Sequence, residues 1–306
     1  MNLTSPDVVC FGVLSYLQLL VVEEIAGRNA GTAINQKFDS FGDDAAIVAA
    51  MLHGWGVRSR LVPSALGDDE YGRKVAAVIK GLGLDADLAV DSKVETVFEV
   101  SIADHTGDRT YYYQRTPEAV ATLDRADLAG LENTRFLYVD WYDGDHVLRP
   151  MKAAAQFGVP VFVNIESQFD NRELLKRLSP SATVCQVAVD ESDADTKMAE
   201  AARLVLDAGV GAVLVTAGPR GCLAADGRTM VRVEAPPVEV ADGNGAGACF
   251  AAGFIYGRLQ EWPLERCARF ATAQASLKCS RVGYTPFPVK DGERLAATLN
   301  VTARSQ

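Results

Sequence analysis

Short apolar runs alternate with helical patterns along this chain, and that alternation does most to limit its fold. Runs at residues 8–13, 136–139, 159–163, 184–187 and 212–216 read as strands, while 45–55, 71–82, 145–157 and 193–208 carry helical periodicity. Strand and helix in turn imply a mainly parallel sheet covered on both faces. Two segments break the rhythm. Residues 95–104 and 109–114 alternate strictly and are joined by His105-Thr106-Gly107-Asp108, a hairpin signal. With residues 18–22 and 34–38 they predict a small antiparallel sheet projecting from the main body, as a lid over a cleft or as a dimer surface.

Late in the chain stands Asp242-Gly243-Asn244-Gly245-Ala246-Gly247-Ala248-Cys249-Phe250. Residues 231–235 and 238–240 before it alternate like strand, and Phe250, Phe254 and Leu259 after it suit a packed helix. The glycines therefore fall at a helix N-terminus, where unpaired amides and the positive end of the dipole favour phosphate oxygens. A plain tight turn would produce the same glycines. A Walker loop is excluded because no Lys-Ser/Thr closes the motif, and G-x-G-x-x-G is excluded because Ala248 and Cys249 follow Gly247.

The 306 residues suffice for one large α/β domain with a small appendage. Forty acidic against thirty basic residues give a net charge of −10, which argues against nucleic acid or an anionic membrane as the main partner. Six cysteines (Cys10, Cys185, Cys222, Cys249, Cys267, Cys279) are scattered without a C-x-x-C pair, suggesting neither zinc nor a disulfide framework. Cys249 reads as a small buried residue rather than a thiolate activated by the helix N-terminus. The apolar stretch 8–22 lacks a preceding basic residue and ends at Glu23-Glu24, so it reads as buried strand, not as a signal peptide. No run reaches membrane-span length, and a cytoplasmic protein is expected. His53, His105 and His146 show no ligand spacing.

With the glycine turn placed after a series of βα units, the chain resembles the ribokinase (PfkB) family of carbohydrate and nucleoside kinases, with some likeness to its ketohexokinase branch. The family signature Asp-Thr-x-Gly-Ala-Gly-Asp-x-Phe corresponds to residues 242–250. Gly67-Asp68-Asp69-Glu70-Tyr71-Gly72, Gly107-Asp108-Arg109, Asp190-Glu191-Ser192-Asp193-Ala194 and Thr216-Ala217-Gly218-Pro219-Arg220-Gly221 follow in family order. The resemblance implies a single ribokinase-like three-layer α/β domain over residues 1–306, with lid strands from about 15–40 and 94–115. It implies ATP and Mg²⁺ as cofactors, with no direct protein ligand to the metal, and a sugar or polyol-like substrate. Gly245, Ala246 and Gly247 would form an anion hole. Asp242, Asn244, Thr216, Gly218, Gly221, Asp190 and Asp193 would line the nucleotide. Gly42, Asp43, Asp44, Asn164, Glu166 and Arg109 would meet the substrate.

Departures from the family pattern bear on activity. The catalytic aspartate position is Ala248, the sugar-binding aspartate position falls on Leu17, and the sugar-binding asparagine position is Ile47. A methyl group cannot accept a proton, and losing a general base costs about 10²- to 10⁴-fold in rate. A sugar kinase by descent with impaired turnover is therefore expected; the alternative is a non-catalytic nucleotide- or small-molecule-binding pseudokinase. A dinucleotide oxidoreductase is disfavoured because the glycine turn comes late and lacks its acidic partner. Asp43-Asp44 read equally as helix caps, Asp190 and Asp193 equally as an N-cap and first-turn acid, and 218–221 equally as a hairpin turn. Tyr111-Tyr112-Tyr113 reads as the two faces of a lid strand, and the lid could pair with a second copy through an exposed edge.

Overall fold

The computed structural model describes residues 5–104 and 109–305. Its elements run β1 (Val8–Gly12), β2 (Ser15–Val22), β3 (Ile34–Gly42), α1 (Asp44–Gly54), β4 (Ser59–Pro63), α2 (Glu70–Leu82), β5 (Asp85–Ala86), β6 (Val97–Ala103), β7 (Arg109–Gln114), α3 (Pro117–Ala121), β8 (Phe136–Asp140) and α4 (Leu148–Gln156). They continue with β9 (Val161–Asn164), α5 (Arg172–Leu178), β10 (Val184–Ala188), α6 (Ala194–Asp207), β11 (Ala212–Thr216), β12 (Cys222–Asp226), β13 (Thr229–Val233), α7 (Ala246–Leu259), α8 (Leu264–Cys279), α9 (Val289–Ala296) and β14 (Val301–Ser305).

The apolar runs become a ten-stranded sheet in the order β14-β13-β12-β11-β10-β9-β8-β1-β4-β5. Strands from β11 through β5 are parallel, and β12 to β14 extend one edge antiparallel. One apolar cluster, with residues of α1, α2, α7 and α8, covers one face; another, with residues of α4, α5 and α6, covers the other. The result is a three-layer α/β fold. Central strands such as β1 and β8 are buried along their whole length, which is why they read as continuous apolar runs.

The lid is a separate four-stranded sheet, β3-β2-β6-β7, but it is mixed rather than antiparallel. β2 pairs with β6 in parallel, flanked by two antiparallel pairs. Between β2 and β6 the chain passes back through α1, β4 and α2 in the body, so no hairpin dictates their direction. The β6–β7 connection, residues 105–108 with His105, lies outside the described residues. The Gly67–Gly72 motif ties body to lid: the Asp69 carboxylate accepts from Gly72 N at 2.7 Å and from Thr96 N at 2.8 Å.

Two expected elements differ. Residues 238–240 are not strand, because Pro236 and Pro237 remove two ladder donors just before them. The helix expected over 145–157 begins at Leu148, after three-ten turns over Trp141–Val147 that break at Gly144.

Candidate active site

α7 starts where the glycines place it. Its N-cap is Gly245, at φ 70°, and the space a Cβ would need there is taken by the Tyr284 ring at 2.7 Å and Ile47 Cδ1 at 3.1 Å. Only glycine meets both demands. Gly247 and Ala248 occupy the first turn, where a helix has no carbonyl to offer its amides. Gly247 is exposed; Ala248 is 1% exposed.

Beneath the turn lies a buried ion pair. Lys278 Nζ, on α8, donates to the Asp242 carbonyl at 2.8 Å and to its carboxylate at 2.9 Å. Asn244 N and Gly283 N donate to the same carboxylate. Above the turn stands the lid: Arg109 donates to the Gly243 carbonyl at 2.8 Å, Tyr111 hydroxyl bonds Asn244, and Asn244 Nδ2 donates to Ser101 Oγ at 2.7 Å. The turn is thus held from below by α8 and from above by β6 and β7. Tyr111 is part of this contact and is not merely a surface residue of a strand.

The second half of the site sits at the carboxyl ends of the parallel strands, where open α/β sheets bind ligands. Asn164, at the end of β9, donates to Asp44 at 3.3 Å, Asp140 at 2.9 Å and Glu166 at 2.6 Å. One oxygen from each of these three carboxylates lies within 4.8 Å of the other two, the one such group among the described residues close enough to share a cation. Burial and the neighbouring charges of Glu166 and Asp43 push Asp44 up to about 7; burial, then Asp44 and Glu166, raise Asp140 well above the carboxylate range. Burial also raises Glu166, against the Asn164 hydrogen bond and the Arg109 charge.

A neighbouring group surrounds Arg115, just beyond β7. Its guanidinium is ion-paired to Asp43 and, at 3.2 Å, to Asp143, with Glu99 at 3.8 Å. Burial opposes its charge, but these carboxylates outweigh burial and raise its pKa. Asp143 also accepts from Val13 N at 3.0 Å. Burial and the Asp43 charge push Asp143 up to about 7 and Glu99 up to about 8, Arg115 opposing both.

Asp43 and Glu166 are two of the four non-glycine residues with positive φ among those described, at 70° and 51°. Such strain concentrates at functional sites. Asp43 is the N-cap residue of α1 but its side chain caps no amide: one carboxylate oxygen pairs with Arg115 and the other has no hydrogen-bond partner among the described residues, while Asp44 stands in the first turn, where an acid complements the dipole.

The lid over a parallel sheet, with a late glycine turn facing a polar row, meets an independent observation: residues 5–290 match the pfkB family carbohydrate kinase. The chain belongs to the pfkB family. It is 25% identical over 282 residues to a nucleoside kinase of Methanothermobacter thermautotrophicus, covering 88% of each chain. It is 28% identical over 262 residues to acarbose 7(IV)-phosphotransferase of Actinoplanes, covering 81% of this chain and 82% of the relative. Two solved structures share its fold. A microbiome-derived acarbose kinase superposes with a TM-score of 0.80 at 19% identity, over 96% of this chain and 100% of that one. Arabidopsis thaliana ribokinase complexed with ribose and ATP gives 0.72 at 20% identity, over 95% and 99%.

In this pfkB-family chain the expected site residues fall into three groups. Gly245, Ala246, Gly247, Ala248, Asp242 and Asn244 form the glycine turn, but the side chains of Asp242 and Asn244 are spent holding it. Asp44, Asn164 and Glu166 meet one another, Asp43 stands in the neighbouring Arg115 group, and Gly42 ends β3 opposite Ser15; Arg109 reaches the Gly243 carbonyl. Thr216 ends β11, Gly218 and Gly221 follow it, and Asp190 and Asp193 follow β10. Asp190 caps Ser192 N at 2.9 Å and Asp193 pairs with Lys197 at 2.6 Å, so both carboxylates are engaged locally. Gly221, at φ 78°, brings its α-carbon against β13: a Cβ there would lie 2.0 Å from the Val233 carbonyl oxygen.

Leu17 and Ile47 are 3% exposed and apolar, as their identities require. Leu17 has Glu99 as its register partner on β6, so the neighbouring lid strand supplies a carboxylate beside the position that lacks one. Sequence reasoning passed over Asp140, Asp143, Glu99, Arg115 and Lys278. Asp140 carried a usable signal, an acid closing the apolar strand Phe-Leu-Tyr-Val-Asp. The others join the site only through tertiary contacts. Cys249 is buried and burial pushes its thiol up to about 12, as befits a core residue. No described helix is long and apolar enough to cross a membrane.

Proposed function

We propose that this pfkB-family chain transfers the terminal phosphoryl group of ATP to a hydroxyl of a small sugar or polyol-like substrate, slowly, because Ala248 cannot take the proton. The observation that supports this most is the glycine turn itself, clamped by Lys278 and the lid beside the polar strand ends. Its first-turn amides suit phosphate oxygens, and phosphoryl transfer is mostly positioning and charge stabilisation. A lid in contact with the turn keeps water from the reacting groups. The amides fit a polyphosphate, but the Asp190 and Asp193 carboxylates fit Mg²⁺ poorly because each is already engaged.

A second reading, a non-catalytic nucleotide-binding protein, draws on Ala248, Leu17 and Ile47 together: three polar positions of the family are apolar and buried here. Phosphorylation of a panel of sugars, polyols and nucleosides, measured beside ATP binding for the native chain and Ala248→Asp, separates the two. An aspartate in the first turn of α7 suits the helix dipole, and restoring the base should raise turnover about 10²- to 10⁴-fold. ATP binding by both proteins with phosphorylation by neither would establish the second reading. Failure of both to bind ATP would overturn the role given to the glycine turn.

A further inference from the structure

Asp242 stands three residues before Gly245, the N-cap of α7, whose first-turn amides are offered to phosphate oxygens. A carboxylate so close repels the ligand that those amides attract. The Asp242 side chain is 0% exposed, so neither water nor salt screens it. Local hydrogen bonds fix its place without cancelling its charge: one oxygen accepts from Asn244 N at 2.9 Å and the other from Gly283 N at 3.0 Å. Its own amide donates to the Cys279 carbonyl at 3.1 Å, as the Ala241 amide does at 2.8 Å, so the chain entering the turn is tied to the end of α8.

The charge is cancelled from α8. Lys278, in the last turn of that helix, donates to the Asp242 carboxylate at 2.9 Å and to the Asp242 carbonyl at 2.8 Å, and its side chain is 2% exposed. Its ammonium lies 5.5 Å from the centre of the Tyr284 ring, the ring that fills the space beside the Gly245 α-carbon. Among the described residues no other lysine or arginine is ion-paired to Asp242. Arg109, the cation that reaches the turn from the lid, donates to the neutral carbonyl of Gly243. The bonds of Lys278 go to Asp242 rather than to the open face of the turn, so any effect of this lysine on a bound phosphate passes through that carboxylate.

We propose that Lys278 is a positioning residue for phosphate binding: by neutralising Asp242 beneath the glycine turn, it leaves the first-turn amides of α7 free to attract a nucleotide phosphate. This rests on the reading that the turn holds phosphate, and it adds a charge balance that fold stability alone does not require. The two members of the pair then act on an anion in opposite directions. Losing Lys278 confronts the ligand with a bare carboxylate; losing the Asp242 charge leaves an uncompensated ammonium. A pair that served only to tie the chain together would weaken nucleotide binding whichever member was removed.

Calorimetric titration of the full chain with adenosine and with ATP, below the lowest melting midpoint of the set, tests this in Lys278→Met, Asp242→Asn and the double variant. At a separation of roughly 10 Å and an effective dielectric constant of about 20, one unit charge acting on another changes affinity about tenfold. Lys278→Met should therefore bind ATP about tenfold more weakly, or worse, and adenosine as the native chain does. Asp242→Asn should bind ATP at least as tightly as the native chain, although both single variants melt lower. The double variant, neutral like the native pair, should bind ATP within about threefold of native. If Asp242→Asn does not fold, the contrast between ATP and adenosine in Lys278→Met decides alone. Weakened ATP binding in both single variants, equal losses for adenosine and ATP in Lys278→Met, or native ATP affinity in that variant would reduce the pair to a structural tie and overturn the proposal. A native chain that binds no ATP overturns this assignment together with the role of the glycine turn. One that shows these charge effects and phosphorylates nothing keeps the assignment and loses the kinase reading.

Discussion

Replacing Lys278 with methionine removes the cation under the glycine turn while keeping an unbranched side chain of similar reach. The Lys278 and Asp242 side chains are 2% and 0% exposed, so the pair is shielded from water and salt. Breaking a buried pair by removing one partner costs about 3–5 kcal/mol, because the other charge stays buried. Here the Asp242 carboxylate keeps the amides of Asn244 at 2.9 Å and Gly283 at 3.0 Å, which hold the charge in part. The lower end, about 3 kcal/mol, is therefore expected. At about 2 °C per kcal/mol for a chain of this size, the melting midpoint should fall by roughly 6 °C. Circular dichroism melts of Lys278→Met, Asp242→Asn and the double variant provide the assay. The double variant removes both charges and should recover more than half of the loss, showing coupling between the sites. A single-variant midpoint within about 1 °C of the native value, or losses that simply add in the double variant, would refute the view that this pair holds the turn.

Two further outcomes are expected. Gly221→Ala should lower the melting midpoint by several degrees, since left-handed backbone costs an L-residue about 1–2 kcal/mol and a Cβ would meet the Val233 carbonyl oxygen at 2.0 Å; a native-like midpoint would show that β13 yields freely. Without ligand, the chain should be more stable at pH 6 than at pH 8. Asp44 and Asp143 titrate near 7 and Glu99 near 8, so the folded state holds protons that the unfolded chain, with carboxylates titrating near about 4, has released. Their stabilising contribution is complete below the unfolded values and disappears as pH rises through 7 to 8. A midpoint that climbs from pH 6 to pH 8 would contradict the burial-driven shifts assigned to the cluster.

Much of this architecture was legible in residue order because its determinants are local. Apolar runs such as 184–187 and 212–216 announce central strands, since a strand buried on both faces has no polar alternation to show. The glycines before α7 mark a helix start because only glycine takes the backbone angle and the close contact with Tyr284 at residue 245. The absence of a carboxylate at Ala248 is likewise a fact of sequence alone, as is the family to which the motif order points.

The partners of those residues belong to tertiary structure. Lys278 reaches Asp242 from 36 residues away, Arg115 meets Asp43 across 72, and Asn164 joins Asp44 across 120. No periodicity or spacing encodes such pairings. Parallel register lines up Asp140, Asn164 and Gln186, and burial shifts the carboxylates that surround them. Asp43 shows the division most plainly: its place before α1 suggests a cap, but the left-handed backbone turns its carboxylate away, and the fold commits it to an arginine at the end of the lid.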